Sequence, residues 1–114
     1  MTVPGRTVVA VNLFSMLPGV DPADFERFST EVDRPTCLAR NDLVRRFEAF
    51  RVDDAPDGAP ADILEVMEVT DWADWEQFRD HHPSMKPVIA GFDELVDPAT
   101  VRTYFTHAIP GELQ

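Results

Sequence analysis

The chain has 114 residues, 44% of them hydrophobic, and a single cysteine, Cys37. That is enough chain for one ordinary core, a single domain over 1–114, and one thiol excludes an internal disulfide framework or a cysteine-based metal cluster. The formal charge of -11 disfavours a nucleic-acid backbone or an anionic membrane surface as partner; keeping the protein in solution is the plainer use of that charge. With no basic leader and no apolar run of about 18 residues, the chain reads as cytoplasmic.

Met1 to Arg6 reads as a loose end. Thr7 to Met16 forms a first strand, stiffened by Val8, Val9 and Val11. After Pro18-Gly19, Asp21 has the character of an N-cap, with Pro22 at the first helical position and Asp24 in the first turn. Phe25, Phe28 and Val32 then follow helical spacing until Pro35 stops or kinks the helix near Asp33. Leu43 to Val52 is a second strand, Asp53 to Asp62 a hairpin connection rich in Asp, Pro, Ala and Gly, and Ile63 to Thr70 a third strand. Asp71 opens a second helix carrying Trp72, Trp75 and Phe78. Pro83 breaks it, and Met85, Val88, Ile89 and Phe92 continue to Leu95. After Asp97-Pro98, Val101 to Ile109 completes the pattern as a last strand.

The order β-α-β-β-α-β specifies an α+β, ferredoxin-like fold: a four-stranded antiparallel sheet with helices on one face. Val8, Ala10 and Phe14 alternate with Val9, Val11 and Leu13, so both sheet faces are apolar. One layer of helices covers only one face. The other is expected to meet a second copy, making a homodimer.

Polar residues that interrupt apolar strands are the candidates for chemistry. Asn12 interrupts the first strand. Glu65 and Glu68 interrupt the third, on opposite faces, so only one points between sheet and helices. A carboxyl buried there is either paired or raised in pKa, as a general acid or base needs; a wet position near the strand end is the plainer alternative. Tyr104 and His107 lie on opposite faces of the last strand, His107 near its end as a surface or interface residue. Glu31, Asp33, Arg34 and Cys37 gather at a helix end, where Glu31 and Arg34 could simply pair and Cys37 could be a buried structural thiol. His81 and His82 stand at the Pro83 break, and His82 is the one preferred to enter a pocket, against two solvent-exposed imidazoles. Neither a metal-ligand spacing nor a phosphate-binding glycine loop occurs, so no metal and no cofactor are expected.

Several segments resemble the RedY-like family of small natural-product biosynthesis proteins, within the dimeric α+β barrel superfamily. They are Val11 to Phe14, Pro18 to Val20, Glu31 to Cys37, Arg46 to Glu48, Met85 to Val88 and Phe92 to Asp97. The resemblance implies a homodimer with a pocket in each subunit between sheet and helices. It also implies a small hydrophobic, aromatic or conjugated intermediate of secondary metabolism as substrate, and cyclisation, dehydration or tautomerisation rather than flavin or haem chemistry.

The leading expectation is therefore a cofactor-free cyclase or isomerase. His82 or Glu65 would move a proton, and Asn12 and Tyr104 would hydrogen-bond a carbonyl or enolate. Phe14, Trp72, Trp75, Phe78 and Met85 would form the walls, although ordinary core packing explains the tryptophans equally well. The alternatives are a cofactor-independent monooxygenase of an electron-rich aromatic, and a non-catalytic protein that binds an intermediate or steadies a partner enzyme.

Overall fold

A computed structural model describes residues 7–56 and 61–110. The loose end expected over Met1 to Arg6 lies outside the described residues, as does the middle of the connection between the second and third strands. Four strands, β1 (Val8–Phe14), β2 (Val44–Arg51), β3 (Ile63–Val69) and β4 (Arg102–Thr106), form one antiparallel sheet in the order β2-β3-β1-β4. This is the ferredoxin-like arrangement.

The helices begin where the sequence supplies caps. In α1 (Pro22–Phe28) the Asp21 carboxylate accepts the Ala23 N–H at 3.0 Å. In α3 (Trp72–His81) the Asp71 carboxylate accepts from Asp74 N at 3.2 Å. Each cap satisfies an amide that the first turn leaves without a helical partner.

Pro35 does not end the first helical segment. A π turn over Ser29–Asp33 joins α1 to a further helix, α2 (Arg34–Leu38), and the Arg34 N–H reaches back to the Ser29 carbonyl. Proline has no N–H and crowds the carbonyl four residues earlier; the wider turn relieves that conflict and leaves Pro35 in the first turn of α2. The turn also changes which residues face inward. Ser29, Asp33 and Cys37 are all buried, at successive four-residue steps, while Val32 is only half-buried.

Pro83 does break the second helical segment. A short 3-10 turn (Pro83–Met85) leads into α4 (Lys86–Leu95). The two helical segments meet at Gly91, where a Cβ would stand 2.2 Å from Cε1 of Phe28. Phe14 sits at the centre of the core, with edge-to-face contacts to Phe25 at 5.6 Å and Phe92 at 5.2 Å between ring centroids.

The strands read as alternation requires. Ala10, Phe14, Ile63, Glu65, Met67 and Val69 are buried beneath the helices, whereas Val9, Val11, Leu13, Leu64 and Val66 are half-buried on the open face. Phe50 and Tyr104 extend that open apolar face, each about half exposed. The last strand is shorter than expected because its partner runs out: Thr106 pairs with Val9, near the start of β1. His107 and Ile109 lie beyond it, exposed.

Candidate functional site

Between the sheet and the helices lies a cavity of about 310 Å³. Its floor is polar where the strands cross. Register places Asn12 of β1 opposite Glu65 of β3 on one side and opposite Thr103 of β4 on the other, all on the helix-facing side of the sheet. Thr103 Oγ1 donates to Asn12 Oδ1 at 2.7 Å, and Asn12 Nδ2 donates to Glu65 Oε1 at 3.5 Å. The Asn12 amide is thereby engaged at both ends, by Thr103 through its oxygen and by Glu65 through its nitrogen.

Glu65 is 3% exposed, and its Oε2 is buried with no hydrogen-bond partner. A buried carboxyl oxygen left unsatisfied is costly in a folded protein, and none of the described residues donates to this one. Asp33, turned inward by the π turn, lines the same cavity and accepts a hydrogen bond from Cys37 Sγ at 3.5 Å. Burial raises both acids. Glu65 is pushed up to about 8 by desolvation and then by the Asp33 charge, against smaller lowering by Asn12 and Arg34. Asp33 is raised to about 6 by desolvation, partly offset by the Cys37 hydrogen bond and by Arg34. The Cys37 thiol is driven far above its ordinary range by burial and by the Asp33 carboxylate, so it is a protonated hydrogen-bond donor rather than a nucleophile.

Phe14, Phe47, Met67, Trp72, Trp75, Met85, Val88 and Phe92 supply the apolar walls. Arg79 and Asp93 stand among the lining residues too, but Arg79 is held by Asp80 at 2.9 Å and lies 3.9 Å from Glu76.

The structure therefore gathers Asn12, Glu65, Asp33 and Cys37 with the walls Phe14, Trp72, Trp75 and Met85. It does not bring His82, His81, Tyr104, Phe78, Glu31 or Arg34 into that cavity. His82 is exposed: its Nδ1 accepts the Ser84 N–H at 3.1 Å, capping the turn after Pro83, and its ring stacks on Phe78 at 4.6 Å. Phe78 is turned the same way, beneath the Arg40 guanidinium at 4.5 Å, so it lines a separate outer hollow with His81 and His82. Tyr104 pairs with Val11 in register and so faces the open side of the sheet, 54% exposed. Glu31 is exposed, and Arg34 donates to Ser29 Oγ at 3.0 Å and Thr30 Oγ1 at 3.1 Å instead of pairing with Glu31.

Thr103 was not among the expected site residues. Its signal was its place one residue before Tyr104, which has value only once the register between the first and last strands is known. Among the described residues no group of three or more His, Cys, Asp or Glu side chains is placed to hold a metal ion, and no helix is long and apolar enough to cross a membrane.

A ferredoxin-like sheet whose one covered face holds an acidic, aromatic-walled cavity defines the class: a small α+β protein built around an internal cavity. The profile of the family described as REDY-like protein HapK matches residues 8–109, and the chain belongs to that family. Among solved structures, HapK from Hahella chejuensis is similar with a TM-score of 0.73 at 17% identity, over 91% of this chain and 94% of that one. SnoaB, a cofactor-independent oxygenase from Streptomyces nogalater, is similar with a TM-score of 0.69 at 18% identity, over 96% and 99% of the two chains. A dimeric ferredoxin-like protein of unknown function from Thermobifida fusca gives 0.68 at 16% identity, over 91% and 92%. At these identities the likeness is one of fold. A search of curated proteins finds no matching sequence.

Proposed function

We propose that this single-domain chain is a cofactor-free cyclase or isomerase that moves a proton on an apolar, conjugated intermediate of secondary metabolism, acting as a homodimer with one site per subunit. The observation that carries the reading is the buried, unpartnered Oε2 of Glu65, a residue that lines the aromatic-walled cavity beside the Asn12 amide. Glu65 is the proton carrier. Raised to about 8, it exchanges a proton near neutral pH, where an ordinary glutamate is a weak base that stays ionised.

As carboxylate, Glu65 takes a proton from a position next to a substrate carbonyl. The Asn12 N–H stabilises the oxygen on which charge develops, and the Glu65 carboxylic acid then returns the proton to a different atom or to a departing hydroxyl. Asp33 supports this exchange as the neighbouring acid whose charge helps set the affinity of Glu65 for its proton. The apolar walls keep bulk water from the reacting atoms.

Turnover of the pathway's own intermediate, followed by product analysis, tests this. Glu65→Gln is expected to lower kcat by about 10²- to 10⁴-fold, while His82→Gln stays within about twofold, because no reacting atom in the cavity is within its reach. Full activity in Glu65→Gln would sink the proton-transfer role, whereas ligand binding with no turnover by the wild type would leave a non-catalytic binding protein as the better account. The fold likeness to a cofactor-independent oxygenase favours one second reading, oxidation of an electron-rich aromatic. Stoichiometric loss of dissolved oxygen during turnover would establish it in place of cyclisation.

A further inference from the structure

The acid pair identifies the kind of ligand the cavity accepts. Glu65 Oε2 is buried without a hydrogen-bond partner, and Asp33 adds a second buried carboxyl to the same cavity. The titratable and charged groups around them are few. From α2 comes Cys37, a neutral thiol donor already spent on Asp33. From α3 comes Arg79, neutralised by Asp80 and Glu76. From α4 comes Asp93, a further acid, which is exposed. Arg34 acts on both acids through its charge, but its guanidinium is hydrogen-bonded to Ser29 and Thr30 and lines a different hollow. The strands add only Asn12 and Thr103, which are neutral. The lining thus has two buried carboxyls and the exposed Asp93, an unpartnered carboxyl oxygen, and no cation besides the ion-paired Arg79; the remaining wall is aromatic and aliphatic.

We propose that the cavity binds a flat, apolar ligand through a cationic N–H group, such as a protonated amine or iminium, which donates to Glu65 Oε2. The ligand supplies both things the site lacks. Its N–H satisfies the orphan oxygen, and its positive charge compensates the carboxylate that the low-dielectric surroundings otherwise disfavour. Aromatic walls suit the same class, because ring faces attract cations as well as apolar surface. An anionic ligand would meet two buried acids with only the Arg34 charge, outside the lining, to offset it, and a neutral one would bring no charge to favour the ionised form of Glu65. The inference rests on the reading of this cavity as the substrate site and adds the substrate's charge.

The test is binding without turnover, using full-length protein and three probes on one naphthylmethyl scaffold: 1-naphthylmethylamine, 1-naphthalenemethanol and 1-naphthylmethyl-trimethylammonium. Isothermal titration at pH 7.5 is expected to show the primary amine binding at least about tenfold more tightly than the alcohol. The quaternary cation, which has charge but no N–H, should fall between them. When the protonated amine binds, Glu65 loses its proton to solvent, so the heat should depend on the buffer's ionisation enthalpy in the sense of proton release. Affinity should also rise from pH 6 to 8. In Glu65→Gln the advantage of amine over alcohol and the proton release should both disappear. Asp33→Asn should keep the Glu65-linked release while weakening the amine, which covers the case in which the Glu65 variant does not fold.

Equal affinity for amine and alcohol, or uptake of protons on binding, would overturn the proposal and leave proton transfer by Glu65 untouched. Failure of all three probes would overturn it together with the assignment of this cavity as a ligand site.

Discussion

Glu65 and Asp33 tie the site to the stability of the chain. Their unfolded values are near 4.5 and 3.8, and their folded values near 8 and 6. Between these limits the folded chain holds more protons than the unfolded one, so the sign is the reverse of an ordinary salt-bridged carboxylate. The full stability is present below the unfolded values and is lost as pH rises through the folded ones. Each group contributes a slope of at most about 1.4 kcal/mol per pH unit in its window. Urea unfolding is expected to show wild-type stability falling from pH 5 to pH 8, and Glu65→Gln should flatten the upper part of that fall; parallel curves for the two proteins would mean that Glu65 is already ionised in the fold. At this scale the sequence was only partly legible. The odd spacing of Glu65 and Glu68 already showed that only one could be covered, and Asn12 was visible as a polar interruption. His82 and Tyr104 were misplaced for two physical reasons. A histidine before proline is well suited to cap the next turn, which consumes its Nδ1. A strand residue's face depends on register with its neighbour, and one step of register separates Tyr104 from Thr103.

At the scale of elements, the caps and prolines were readable because each acts within a few residues: Asp21, Asp71 and Asp97 all accept an amide at the start of a helical turn. The π turn was not. Spacing from Phe25 and Phe28 assigns the inward face to Val32, and nothing in a 3.6-residue period reveals an inserted residue that turns Asp33 inward instead. The other element-scale feature hidden in the sequence is the close approach of α4 to α1 at Gly91. Because a methyl there would collide with the ring of Phe28, Gly91→Ala is expected to destabilise the fold by about 1–3 kcal/mol despite the better helix propensity of alanine. Thermal unfolding measures this, and Gly91→Ala combined with Phe28→Leu, which removes the colliding ring edge, should recover part of the loss.

For the whole molecule, the open sheet face decides the assembly. Val9, Val11, Leu13, Leu64 and Val66 share that face with half-exposed Phe50 and Tyr104, an apolar face of the kind that a partner covers. The proposed homodimer covers it. Sedimentation should find two copies for the wild type and one for Val11→Asp. Added salt should favour the dimer, since each copy carries -11 and like charges oppose their approach. Tyr104, on the open face, would lie at the subunit contact of that proposed dimer. The site itself is distributed along almost the entire described chain, and the bond from Thr103 to Asn12 spans 91 positions. Thr103 lies on β4, an exposed edge strand whose only strand partner among the described residues is β1. The polar floor of the cavity is therefore only as firmly held as the docking of a single five-residue strand, and fraying of that strand would take one of the two side-chain partners from Asn12.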